Sequence, residues 1–356
     1  FIFWGSPAFI SSITFGSCIL LGVPLTAGTV LSALATFRML QDLIFTLPDL
    51  LSVFAQGKVS ADRVAKYLEE EELKCDAVTQ VPRNDTDFDV KIDHGIFSWE
   101  LETTSPTLTD VELKVKRGMK VAICGIVGSG KSSLLSCILG EMPKLDGTVR
   151  VSGRKAYVPQ TAWILSGNIR ENILFGNTHD KEKYENIIQA CALTKDFELF
   201  ANGDLTEIGE RGINMSGGQK QRIQIARSVY EDADIYLFDD PFSAVDAHTG
   251  SQLFKDCVMG ILKDKTVLYV THQVEFLPAA DLILVMQDGK IVQKGKFDEL
   301  LQQNIGFEAI VGAHSQALES VINAESSSRI QSGNQKSADS EDEFDTKMKR
   351  MINFRA

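Results

Sequence analysis

Residues 125–132 read Gly125-Ile126-Val127-Gly128-Ser129-Gly130-Lys131-Ser132, directly after an apolar run at 121–124 and running into a helical pattern at 131–139. The stretch fits G-x-x-x-x-G-K-[ST], in which glycines let backbone N–H groups approach phosphate oxygens. Such a loop is built only where a strand turns sharply into a helix, so the chain around it is committed to a strand–loop–helix unit. Other segments extend that commitment. Short strands are expected at 111–116, 120–124, 235–238, 267–270 and 282–286, with a turn at Arg117-Gly118. Helical patterns at 180–200 and 219–230 alternate with them, which argues for a mainly parallel sheet covered by helices.

The N-terminal part obeys a different rule. Residues 1–37 contain no Asp, Glu, Lys or Arg, and two apolar runs meet around Gly22-Val23-Pro24. Each run is near the roughly 20 residues that span a bilayer as a helix. A buried core helix and a secretory signal are the alternatives. A signal would need a basic start and one short apolar region, whereas this chain opens Phe-Ile-Phe-Trp. The apolar start without an initiator Met is expected to continue from a larger membrane protein. Residues 1–73 are therefore expected to hold about two membrane helices and a cytosolic extension. Arg38 and Asp42 either line a transport path or snorkel to the interface.

The polar, Pro-containing stretch 74–87 reads as a linker, and 314–356 as a disordered Ser/acidic tail. In that tail Ser337 and Ser340, beside Glu341-Asp342-Glu343, are either phosphorylation sites or part of a solvated spacer. A net charge of -12 without a basic stripe argues against a nucleic-acid partner. Cys18, Cys75, Cys124, Cys137, Cys191 and Cys257 are scattered, with no C-x-x-C pair, which suits a reducing cytosolic setting for the soluble part.

Candidate site residues follow from the chemistry of a triphosphate, which needs donors and cations. Gly125, Gly128 and Gly130 shape the loop, and the helix N-terminus behind it favours an anion. Lys131 offers a cation to the β- and γ-phosphates, and the Ser132 hydroxyl is placed for Mg2+. Asp239, ending the apolar run 235–238, is read as the second metal ligand, although an Asp after a strand is also a common loop former. Between loop and acidic strand stands Ser216-Gly217-Gly218-Gln219, preceded by Met215.

That order of three motifs resembles the ATP-binding cassette, or ABC, ATPases. The resemblance implies an α/β P-loop NTPase fold with a mainly parallel core, an antiparallel β subdomain and a helical subdomain, preceded by transmembrane helices. It adds Ser129 and Ser133 to the ATP-binding loop. It further implies that Gln160, in Tyr157-Val158-Pro159-Gln160, reaches metal or water, and that Trp99, in Phe97-Ser98-Trp99, stacks on adenine. As a lone Trp it would be read as core. His272, in Tyr269-Val270-Thr271-His272, matches the switch histidine, and Asp246, in Ser243-Ala244-Val245-Asp246, the D-loop. After Asp239 such proteins normally place a catalytic Glu, but this chain has Asp240. Its carboxylate is one methylene short, and displacement of that order costs about 100-fold in rate, so slow hydrolysis is expected.

An Asp there is typical of the first cassette of the C subfamily, the multidrug-resistance-associated exporters. The segments 163–167, 171–176 and 24–38 are similar to that subfamily, particularly its plant members. The resemblance covers residues 1 to about 313 and implies that 88–313 is a first nucleotide-binding domain. It also implies, as partners, a second nucleotide-binding domain, whose ATP would meet 216–219, a second transmembrane domain and membrane lipid. The implied cargo is organic anions, glutathione conjugates among them, with the vacuolar membrane as the expected location and the plasma membrane as the other. Two rival readings share the motifs: a non-transport ABC ATPase, which would lack charge-free spans, and an ABC-type channel or channel regulator.

Overall fold

A computed structural model describes residues 2–69, 72, 77–100, 105–209, 212 and 214–302, with side chains from Ala8 on except Ile44. The expectations for 314–356, including Ser337 and Ser340, lie outside the described residues, as does Cys75. The chain forms two compact units, Phe1–Glu72 and the part from Leu73 on.

The first unit is a helical hairpin, α1 (Ile2–Leu20) and α2 (Ala27–Glu69). Gly22, at φ 72°, makes the turn. Thr26 then caps α2 by exchange with Thr29: each hydroxyl accepts the other residue's backbone N–H, at 3.1 and 3.4 Å. Phe15 and Phe37 meet edge to face, ring centroids 6.3 Å apart, and hold the two helices together. Among the described residues α2 is the helix long and apolar enough to cross a membrane by length and composition; the apolar stretch described in α1 is the shorter Ala8–Leu20. At 43 residues α2 is about 65 Å long, twice the ~30 Å hydrocarbon core. Its exposed Leu43, Leu50, Leu51 and Phe54 belong to the apolar part, and Lys58, Asp62, Arg63 and Lys66 to the remainder.

The second unit is layered around a six-stranded sheet. Its chain begins with β1 (Thr79–Gln80), β2 (Phe88–Phe97), β3 (Leu108–Lys116) and β4 (Lys120–Gly125), then α3 (Lys131–Leu139), β5 (Lys144–Val151) and β6 (Lys155–Val158). A helical lobe follows: β7 (Gly167–Asn168), α4 (Ile169–Leu174), α5 (Lys181–Ala190), α6 (Thr194–Leu199), β8 (Glu207–Ile208) and α7 (Gly217–Tyr230). The chain then returns through β9 (Ile235–Asp239), α8 (Ala247–Leu253) with its π-helical continuation Phe254–Ile261, β10 (Thr266–Val270), β11 (Leu282–Gln287), β12 (Lys290–Gly295) and α9 (Phe297–Gln302).

The core sheet has the order β12-β11-β4-β10-β9-β6, parallel throughout except for the β11–β12 hairpin. The second sheet, β1-β5-β2-β3, is antiparallel apart from the β1–β5 pair. Alternation along the strands builds two cores. Val121 and Ile123 of β4, with Ile235 and Leu237 of β9, pack on α3 and the antiparallel sheet; Ala122, Cys124, Tyr236 and Phe238 point the other way, against the helical lobe. This is the α/β P-loop architecture with antiparallel and helical subdomains that the resemblance implies.

Two details differ from the sequence reading. The segment 180–200 is not one helix: Ala192 at φ 53° breaks it between α5 and α6, with no Gly or Pro to announce the turn. Residues 79–87, expected as linker, join the fold instead. β1 extends the antiparallel sheet, and Arg83 ion-pairs with Asp234 and lies 3.8 Å from the fully buried carboxylate of Asp89. Asp89 also accepts from Thr266 Oγ1 at 2.6 Å and Arg117 Nε at 3.4 Å, so a charge that is costly to bury is shared among donors.

Candidate functional site

β4 is buried along its whole length and ends at Gly125, where the chain turns with φ 150°. A Cβ at Gly125 would stand 2.3 Å from the Met286 carbonyl oxygen, so only glycine permits β4 and β11 to pair this closely. The loop then wraps to Gly130, also at positive φ, which opens α3. Lys155 closes the far end of that helix, donating to the carbonyls of Ile138 and Leu139 at 3.0 and 2.9 Å, which complements the dipole whose positive end faces the loop.

The loop is a donor-rich cradle. Among the described residues, the N–H groups of Gly128 and Gly130 donate to no protein acceptor, and the buried Ser129 Oγ has no partner. Lys131 is 7% exposed, and its ammonium donates to the Gly125 and Ile126 carbonyls at 3.0 and 2.8 Å. Burial holds its pKa below the usual lysine value, against the pull of Asp240 and Asp239. Unused donors and an orphaned buried hydroxyl fit a phosphate chain.

Parallel pairing carries the other candidates to the same edge. β4, β10, β9 and β6 are consecutive neighbours running in one direction, so their carboxyl ends line up. From these ends emerge the 125–132 loop, His272 two residues past β10, Asp239 and Asp240 at the end of β9, and Gln160 two residues past β6. Open α/β sheets bind ligands along this edge. Ser132 Oγ donates to Asp239 Oδ1 at 3.0 Å, joining α3 to β9. A hydroxyl and a carboxylate at that distance are the hard oxygen donors Mg2+ prefers.

Burial raises the pKa of both Asp239 and Asp240, and the two carboxylates repel; Ser132 eases Asp239, and the neighbouring His272 eases Asp240. Asp240 sits in the left-handed region at φ 48°, and its carbonyl accepts from Ser243 Oγ at 2.9 Å, forming a tight turn. Tyr157 stands on β6 in register with Leu237, on the face Asp239 shares. Burial and the neighbouring Asp239 push its hydroxyl up to about 12. No motif marks it; its position follows from strand register.

Trp99 and Ser133 meet. The Trp99 indole N–H donates to Ser133 Oγ at 3.1 Å, and half of the Trp99 surface is exposed, so it is not a core residue. The Asp288-Gly289 hairpin turn steadies this corner. The Gly289 N–H donates to the Ser129 carbonyl at 3.1 Å, and the Gly289 carbonyl accepts from Thr109 N at 3.0 Å.

The 216–219 motif lies elsewhere in the unit. Ser216 caps α7 in a capping box: its Oγ accepts the Gln219 N–H at 3.2 Å, and Gln219 Oε1 accepts the Ser216 N–H at 3.0 Å. Gln219 Nε2 also donates to Asp196 of α6 at 2.9 Å, and Asp196 pairs with Arg222 at 2.6 Å. Gly218 leaves room for Ala244, whose carbonyl oxygen would be 3.0 Å from a Cβ there. Among the described residues, no hydrogen bond joins 216–219 to the 125–132 loop. Asp246 caps α8, accepting the Thr249 N–H at 2.9 Å, and that bond lowers its pKa. The sequence reading missed Asp196, which steadies the motif from some twenty residues upstream.

Comparison with known proteins places these features in context. Residues 108–243 match the model of the ABC transporter family. The chain is 70% identical over 329 residues, 92% of its length, to ABC transporter C family member 9 of Arabidopsis thaliana. It is 71% identical over 316 residues to the putative ABC transporter C family member 15 of the same plant, covering 89% of the chain. With ABC transporter C family member 13 of Oryza sativa subsp. japonica it shares 60% over 327 residues, 92% of the chain. It spans 22%, 30% and 22% of those three relatives.

Proposed function

Because this chain belongs to the ABC transporter C family, we propose that its second unit binds MgATP at the 125–132 loop and works as one of two cassettes driving transport across a membrane. One observation carries the proposal: the loop, His272, Asp239 with Asp240, and Gln160 end adjacent parallel strands, and Ser132 and Asp239 meet at 3.0 Å. In this reading Gly125, Gly128, Ser129, Gly130 and Lys131 hold the phosphates, and Ser133 belongs to the same ATP site beside Trp99. Ser132, Asp239 and Gln160 hold Mg2+, which neutralises phosphate charge. Asp240 polarises water, His272 contacts the γ-phosphate, and Trp99 takes the base. Residues 88–313 form the nucleotide-binding domain and 1–73 part of a transmembrane domain.

Ser216, Gly217, Gly218 and Gln219 serve an ATP held by a second cassette. The capping box supports this. Ser216 Oγ accepts the Gln219 N–H and keeps its own proton for an outside anion, at a helix N-terminus that attracts one. Asp246 belongs to the same surface. The expected cargo, organic anions such as glutathione conjugates, and the vacuolar membrane rest on family resemblance. Uptake of a panel of such anions by vesicles carrying the full-length transporter tests them. Lys131→Ala tests the site itself: nucleotide affinity should fall beyond measurement, and unchanged affinity would refute the assignment.

A further inference from the structure

The corner where Trp99 meets Ser133 does more than supply two separate contacts. Ser133 is the third residue of α3, one turn from the phosphate cradle, and its hydroxyl is engaged by an indole that arrives from the end of β2. A serine near a helix start ordinarily turns its hydroxyl back to the carbonyl four residues earlier. Here that carbonyl, on Ser129, receives the Gly289 N–H at 3.1 Å, and Ser133 Oγ accepts Trp99 Nε1. The Trp99 backbone is held too, its N–H pointing to Thr107 Oγ1 at 3.4 Å. An indole N–H bond lies in the ring plane, so it occupies an edge and leaves the π faces free.

We infer that Ser133 is a positioning residue for the base platform, fixing the Trp99 ring at the mouth of the phosphate loop so that an aromatic base and the phosphates of one nucleotide are engaged together. This rests on the reading of 125–132 as a nucleotide site. The alternative role for the Ser133 hydroxyl is a direct bond to phosphate, and the two roles separate by ligand. A platform residue matters to a nucleotide and not to a bare phosphate chain.

The test measures binding of ATP and of inorganic tripolyphosphate, both with Mg2+, to the full chain in detergent. Ser133→Ala should weaken ATP about 3- to 10-fold, the worth of one neutral hydrogen bond, and leave tripolyphosphate unchanged. Trp99→Phe, which keeps a ring but loses the N–H, should also weaken ATP alone. The double variant should lose less than the two single losses combined, because the bond can be broken only once. Equal weakening of both ligands by Ser133→Ala would overturn the inference in favour of a phosphate contact, and so would fully additive losses or no loss at all. Lys131→Ala is the control: if both ligands bind it normally, the site reading fails, whatever Ser133 does.

Discussion

Asp240 combines three properties that pull against one another. It is buried beside another carboxylate, its backbone is left-handed, and it holds the place proposed above for the group that activates water. The left-handed region disfavours longer side chains and accepts Asp, so the turn at Asp240 fits the residue present. Asp240→Glu should extend the carboxylate and raise hydrolysis at this site by tens of fold, up to about 100. An unaltered single-turnover rate in the full-length protein would show that reach does not limit it. Asp240→Asn separates stability from function. The folded pKa of Asp240 is raised above its ordinary value, so the native state is favoured below the ordinary carboxylate range and loses that advantage as pH rises through the folded pKa. Removing the charge should therefore raise the melting temperature of nucleotide-free protein by a few degrees near neutral pH, with the gain vanishing in acid. A gain that persists in acid would mean another cause. The identity of Asp240 could be read directly from the chain, but its burial and φ could not, because both are imposed by β10 and the Ser243 turn.

At the scale of elements, α7 shows how a functional motif is also a structural one. Ser216-Gly217-Gly218-Gln219 fits the S-x-x-Q capping box as well as it fits a nucleotide signature. What no local pattern discloses is Asp196, which meets Gln219 and Arg222 from α6 after a break at Ala192 that the residue types do not advertise. Asp196→Ala leaves the Arg222 guanidinium buried without its partner. The cost should be about 3–5 kcal/mol, read as a lower denaturation midpoint of the second unit. A loss under about 1 kcal/mol would mean that water replaces the pair. By contrast, the strands 235–238 and 267–270 were legible almost residue for residue, since a wholly apolar run between polar turns has one stable place, the middle of a parallel sheet.

For the whole second unit, the motifs fixed which strand ends gather, while strand order and the attachment of the antiparallel sheet came from long-range packing that a single chain does not spell out. Gly289 is one such attachment. A Cβ there would stand 2.0 Å from the Thr107 carbonyl oxygen, at φ 73°. Gly289→Ala should force the hairpin away from Ser129 and Thr109, destabilising the unit by at least 1–3 kcal/mol, roughly the cost of a strained backbone site, and weakening ATP binding with it. Normal affinity and melting temperature together would mean the turn is a passive loop. Gly217→Asp, at the surface assigned to a second cassette, should leave nucleotide affinity here intact and slow steady-state turnover of the full transporter at least tenfold, roughly the loss of one charge-assisted contact. Lost affinity here would contradict a shared site.

Arg83 has a mechanical consequence. The strand that ends in Asp239 and Asp240 begins at Ile235, immediately after Asp234, the residue Arg83 grips. Arg83 lies on the stretch of chain that leads in from the first unit, and its neighbours Asp89, Thr266 and Arg117 tie that stretch to the rear of the core sheet. A pull along the incoming chain is thus taken up at a mooring five residues behind Asp239, and a strand already at full extension has no slack with which to pass it forward.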